Sequence, residues 1–226
     1  MPAAAPSRQP GASNRFSGSE AHRLLAAERE WLAAQMSARP ARPWLWLAPP
    51  SDDPPGWPLP PPRGVLLRQA GDGYEGTVRC GLPWPLANEC LGDVVLQHPW
   101  PHQLGTLLDE CARVLVEGGR LWLFQLNPWS PYRIRRMRGL PAMSTVPWMQ
   151  PLRARGLHPG APVYIGPRWR ASPPGDETAA RREAAGDATS LMAPLRACSA
   201  IVAEKRGLAP MAPAPVAWRR GAAPAA

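Results

Sequence analysis

The hydrophobic pattern is sharpest between residues 82 and 136, where its period changes twice. Asp93-Val94-Val95-Leu96-Gln97-His98 is too continuously apolar to leave one face in water, which predicts a strand covered on both faces, as in parallel sheets. Over residues 102–115 the period becomes helical. Leu104, Leu107, Leu108, Cys111, Val114 and Leu115 fall on one stripe, with Asp109, Glu110 and Arg113 off it. Glu117-Gly118-Gly119 can supply the left-handed residue that ends a helix, and residues 120–126, rich in Leu, Trp and Phe, form a second buried strand. Strand, helix and strand with short links make a right-handed βαβ unit, whose ligands sit at the carboxyl ends of the strands. Those ends are Gln97-His98-Pro99-Trp100 and Asn127-Pro128-Trp129-Ser130.

The remaining pattern frames this unit. Ser17 and Glu20 have capping-box spacing and open a helix to about residue 36, with Leu24, Leu25, Trp31, Leu32 and Met36 as its stripe. Glu28 falls inside that stripe, so it is expected at the rim or paired with an arginine. Residues 44–47 and 65–69 are predicted as the first and second strands. The stretch from Gly64 to Gly73 mimics a strand with a Gly-x-Gly turn, yet only about 20 residues separate it from Asp93, too few for a first strand that needs several elements before the fourth. Gln69 ends the second strand, and Asp72 is read as a turn residue. A short helix over 148–155, a strand over 161–165 and a last strand over 199–205 complete the sheet. The polar, proline-broken stretch 168–186 is expected to be a mobile loop.

Composition limits the folded part. The chain has 226 residues, 45% of them hydrophobic, enough for one domain with a real core. Its 32 prolines cluster at residues 40–62, 159–174 and 210–224, which predicts loops and tails there. The expected division is a disordered leader over 1–18, a folded domain over 19–207 and a Pro/Ala-rich disordered tail over 208–226. A net charge of +9 invites a nucleic-acid partner. Lys205 is the only lysine, however, so an arginine-favouring, GC-rich coding bias competes as the cause. Cys80, Cys90, Cys111 and Cys198 show no metal-ligand spacing and read as reduced thiols, the last two in the core, with no metal expected. No apolar run reaches about 18 residues and no signal-peptide core opens the chain, so the expectation is a cytoplasmic, bacterial protein without a membrane partner.

Several motifs in order then carry a resemblance. Leu82-Pro83-Trp84, Asp93-Val94-Val95-Leu96, Leu108-Asp109-Glu110-Cys111-Ala112-Arg113-Val114-Leu115, Gly118-Gly119-Arg120-Leu121 and Asn127-Pro128-Trp129-Ser130 together resemble the second half of a class I S-adenosylmethionine-dependent methyltransferase. The likeness is to the methyltransferase type 11 group, in particular a set of small proteobacterial proteins, and covers about residues 78–136. It implies an α/β fold: a doubly wound, mostly parallel seven-stranded sheet with its last strand antiparallel. It also implies S-adenosylmethionine as cofactor, with Leu47, Ala48, Gln69, Gly81, Leu82, Gln97 and His98 lining its site. Asn127, Trp129, Tyr132 and Arg133 would face the substrate.

Three positions depart from that family's pattern. Ala48-Pro49-Pro50-Ser51-Asp52-Asp53-Pro54-Pro55 stands where a glycine-rich loop is expected, and proline removes amide donors. Gln69 replaces the acid that holds ribose hydroxyls, and no aspartate precedes Leu82. His98 is open to two readings, a base or ligand contact near pH 7 and a plain turn residue. The sequence therefore predicts a methyltransferase-like protein with no catalytic residue assigned and its acceptor, small or macromolecular, left open. The alternative is an inactive methyltransferase fold serving as a binding or scaffold module. A third reading is nucleic-acid binding through Arg133, Arg135, Arg136 and Arg138 with Tyr132 and Trp129.

Overall fold

The computed structural model describes residues 16, 18–49, 63–70, 73–170 and 176–207. Except for Phe16 and Gly18, the expected leader lies outside the described residues, as do the expected tail, the proline-rich loop from residue 50 onward and Asp72. Among the described residues, no helix is long and apolar enough to cross a membrane.

One mixed sheet organises the chain. Strands β1 (Trp44–Ala48), β2 (Gly64–Ala70), β4 (Leu91–Gln97) and β5 (Leu115–Leu126) form its parallel centre, in the order β2-β1-β4-β5. Strand β3 (Gly73–Gly76) extends one edge as an antiparallel hairpin on β2. At the other edge β8 (Cys198–Lys205) runs antiparallel to β5, and the short strands β6 (Leu157–Pro159) and β7 (Val163–Ile165) pair along its far side. Among the described residues the expected seven strands become eight, because two three-residue strands share β8 where one is predicted.

Helices cover both faces. Helix α1 (Ser19–Ser37) lies on one face, and Leu24, Leu25, Trp31 and Leu32 pack there with Trp46, Val95, Trp122 and Phe124 of the sheet. Helix α2 (Leu104–Val114) lies on the other, with Leu104, Leu107, Leu108, Cys111 and Val114 fully buried against Val94, Leu96, Leu121 and Leu123. The alternation of β4 and β5 between these faces explains their unbroken apolar runs. Burying each such side chain contributes about 1.5–3 kcal/mol. Helix α4 (Met149–Ala154) shares the α2 face through Leu152.

Local chemistry moves several predicted boundaries. Helix α1 begins after Gly18, which has no side chain to cap it; Ser17, the predicted capping residue, lies outside the described residues. Helix α2 ends at Val114, because Leu115 is already extended and pairs with Leu91; Gly118, at φ +70°, lies in an irregular stretch of β5. Helix α3 (Pro131–Arg136) starts at Ser130, whose hydroxyl accepts from the Arg133 N–H. The predicted loop over 168–186 contains helix α5 (Glu177–Ala184), started by Asp176, whose carboxylate accepts from the Ala179 N–H. Gly186 stops it at φ +70°, where a side chain would collide with the Trp31 indole at 2.7 Å.

At the amino ends of the central strands a buried acid is engaged through one oxygen. Asp93 accepts from the Trp122 indole at 2.9 Å and from Arg39 at 3.0 Å, tying α1's exit to β4 and β5. The carboxyl ends, at the opposite edge, carry the functional candidates.

Candidate functional site

The carboxyl ends of β1, β2 and β4 bring Leu47, Ala48, Gln69, Gln97 and His98 to one edge of the sheet. Leu47 and Ala48 are buried, and they contribute apolar packing there. Gln97 is buried on the α1 face. Its carbonyl oxygen accepts from the Trp46 indole at 3.2 Å, and its amide donates to Glu28 Oε2 at 2.7 Å. His98 has φ +50° and turns its ring to the same carboxylate, with Nε2 at 2.9 and 3.0 Å from the two Glu28 oxygens. An Nε2–H would donate to that carboxylate. His98 Nδ1 is buried and has no hydrogen-bond partner among the described residues, and Phe16 stacks on the ring at 4.7 Å.

Glu28 is thus not at the rim and its partner is not an arginine: it is 0% exposed at the centre of this cluster. An acid has no other low-energy place there than among donors. Cys198, at the start of β8, brings its sulfur beside this pair. Burial raises the Cys198 thiol well above its ordinary value, and Glu28 raises it further. The ligand atoms of Glu28, His98 and Cys198 all lie within 4.8 Å of one another, a set able to hold a metal ion. Here the Glu28 carboxylate is already bonded to the Gln97 amide and to His98 Nε2.

Gln69 belongs to a second network, around Gln103 just before α2. Gln69 Nε2 donates to Gln103 Oε1 at 3.0 Å, and the Tyr74 hydroxyl reaches the same oxygen at 3.4 Å. Tyr74 pairs backbone to backbone with Cys80 and meets Trp84 edge-on at 6.4 Å. Burial pushes its hydroxyl up to about 12. Beyond Cys80 the chain exposes Gly81, where a side chain would meet nothing within 4 Å, and then presents half-buried Leu82. This loop is clamped to α2. Glu110 accepts the Trp84 N–H at 2.9 Å, and Arg113 donates to the carbonyls of Trp84 and Leu86, to Asn88 and to Glu110. Both residues were read as off the buried stripe; Glu110 is buried because it serves this loop.

The loop after β5 holds the other predicted residues. Asn127 is buried; its amide donates to the carbonyls of Pro194 and Arg196, and its oxygen accepts the Trp129 N–H at 3.1 Å. Tyr132 is fully buried, with its hydroxyl on Glu20, and burial together with that carboxylate raises its pKa far above the ordinary value. Arg133 donates to the Leu140 carbonyl at 2.7 Å. Trp129 is 73% exposed, and Ile134, Arg135, Arg136 and Arg138 are exposed beside it. Of the four residues expected to face a substrate, the structure exposes Trp129 and packs the other three into the loop's own support.

Glu28, Phe16, Gln103 and the pair Glu110–Arg113 were not singled out as functional from sequence. The signal for Glu28 was its place within an apolar helical stripe. Phe16 stands alone in a polar stretch, where no periodicity assigns it.

The sheet order, with the antiparallel β8 between β5 and β6, is a Rossmann-like arrangement of the methyltransferase type. No protein-family model and no curated protein matches the chain. Solved structures do. A chain from the complex between the Trm112 methyltransferase activator and a methyltransferase of Haloferax volcanii is 13% identical, with TM-score 0.50, over 88% of this chain and 99% of that one. An S-adenosylmethionine-dependent methyltransferase from Thermotoga maritima is 13% identical, with TM-score 0.48, over 82% and 91%. One from Archaeoglobus fulgidus is 12% identical, with TM-score 0.46, over 78% and 94%. At this identity the likeness concerns the fold.

Proposed function

We propose that the chain is a methyltransferase-like protein that binds S-adenosylmethionine at the carboxyl ends of β1, β2 and β4. The observation that carries this reading is the sheet order β3-β2-β1-β4-β5-β8-β6 with polar side chains gathered at that edge. The residues fit such a ligand in kind. Exposed Gly81 and half-buried Leu82 offer an open backbone and an apolar wall for a purine, Gln69 offers an amide beside it, and buried His98 Nδ1 is a polar atom still lacking a partner. When bound, S-adenosylmethionine supplies an electrophilic methyl group on its sulfonium. The chain's part would be alignment, for which the fixed Gln97–Glu28–His98 cluster gives a rigid floor; alignment can supply much of the rate in methyl transfer.

A second reading, a binding module without turnover, draws on the same cluster. Gln97 and His98 Nε2 already spend their polar groups on Glu28, and the loop after β1 is rich in proline. Calorimetric titration with S-adenosylmethionine and S-adenosylhomocysteine separates the two. Saturable micromolar binding, about 8 kcal/mol, supports the cofactor reading. Absence of heat up to millimolar ligand from folded protein supports the second.

Gly81 provides a site-directed test. Because a side chain there meets nothing within 4 Å and its φ is not left-handed, Gly81→Leu is expected to leave the melting temperature within about 2 °C of wild type. It is expected to weaken S-adenosylmethionine by tenfold or more. Unchanged affinity would move the purine away from this loop.

A further inference from the structure

Helix α5 and the loops around β7 and β8 border an open cleft of about 400 Å³ lined by Arg168, Arg170, Arg182, Arg196, Glu183 and Trp169, together with small residues. The arginines are held differently. Arg196 is fixed by three carbonyls, those of Gly166 and Glu183 at 3.1 Å and of Arg182 at 3.2 Å, while its Nε is buried without a hydrogen-bond partner among the described residues. Arg168 pairs with Asp187 at 3.2 Å. Arg170 and Arg182 are exposed, and among the described residues Arg170, Arg182 and Arg196 make no ion pair. Glu183 is the one acid in the lining. Burial lowers the pKa of Arg196 and the neighbouring Arg168 charge lowers it further, while Asp187 and Glu183 oppose the shift. Trp169, 52% exposed, adds an accessible aromatic face between two of these arginines in sequence.

Guanidinium forks match the oxygens of a phosphate group, and an exposed indole accepts a planar ring by stacking. We propose that this cleft binds a nucleotide, its phosphate on Arg170, Arg182 and Arg196 and its base on Trp169. The cleft belongs to the same edge of the sheet as His98, since Asn127 after β5 bonds the Arg196 carbonyl and the Tyr132 N–H bonds that of Arg168. That the nucleotide is the methyl acceptor rests on the methyltransferase reading; that it binds does not.

The test is titration of the full chain, with no S-adenosylmethionine present, by inorganic phosphate, AMP and a short single-stranded oligonucleotide at low salt. AMP is expected to bind more tightly than phosphate. Arg170→Glu and Arg182→Glu, both at exposed positions, are each expected to weaken AMP about tenfold, and Trp169→Ala to weaken AMP while leaving phosphate unchanged. Oligonucleotide binding no tighter than AMP identifies a free nucleotide, and oligonucleotide binding at least tenfold tighter identifies a nucleotide within a strand. Failure of all three probes to saturate at millimolar concentration, or binding indifferent to both charge reversals, overturns the proposal. Because cofactor is absent from these titrations, a protein that never binds S-adenosylmethionine can still pass them.

Discussion

Glu28→Ala is expected to lower stability by about 3–5 kcal/mol, the range for removing one partner of a fully buried charge-bearing cluster. In a domain of this size that is a fall in melting temperature of roughly 6–20 °C. The carboxylate is the shared partner of the Gln97 amide and of His98 Nε2, and truncation strands both where water does not reach. Glu28→Gln should lose less, because one oxygen still accepts, although its new amide faces the Gln97 amide as a second donor. Replacing the cluster together, Glu28→Leu with Gln97→Leu and His98→Leu, should recover much of the loss, since an apolar set of similar volume avoids the desolvation of all three. Denaturant midpoints of the three variants check this. A loss below 1 kcal/mol for Glu28→Ala would mean that the carboxylate is hydrated in solution.

The same cluster shows where sequence reading reaches its limit. The two buried central strands and the α2 stripe were legible because each repeats one period over many residues: Val94, Leu96, Leu121 and Leu123 meet Leu104, Leu107 and Leu108 as the pattern requires. Glu28 was legible as an anomaly but not as a partner of His98, because the two are 70 positions apart and only the docking of α1 over β4 joins them. Helix α5 was hidden by flanking prolines and charges; its evidence was the single cap at Asp176 and a run of alanines, a local signal weaker than the polarity around it. The cleft of arginines was hidden for a related reason. Arg168, Arg170, Arg182 and Arg196 come from three separate segments, and in a chain whose charge is nearly all arginine none stands out before the fold collects them. The predicted substrate residues illustrate the reverse. Asn127 and Tyr132 had the right residue types at the right strand end, but an asparagine before a proline turn and a tyrosine beside a helix amine end are just as well used in holding the loop, and here they are.

Arg113→Ala is expected to cost about 2–3 kcal/mol at neutral pH, because this one guanidinium ties two carbonyls and Asn88 of the loop over 84–88 to Glu110 of α2. Its side chain is 28% exposed, so water replaces part of what is lost and the figure stays below that for Glu28. The pH dependence carries the sharper signature. The hydrogen bond from Arg113 holds Glu110 below its ordinary value of 4.5, burial opposes this, and the Trp84 N–H and the Arg113 charge add to the lowering. A carboxylate with a depressed folded pKa contributes stability that is present above its unfolded value and is lost as pH falls through the folded one, where the unfolded chain binds the extra proton first. Wild type should therefore lose stability progressively below about pH 4.5. Arg113→Ala, with the lowering largely removed, should start lower and fall less steeply, so the two curves converge in acid. Stability curves measured from pH 6 downward decide the matter: parallel curves would show that Arg113 supports the loop through packing alone, and convergence would place the Glu110–Arg113 pair as the clamp that holds the loop over 84–88 to α2.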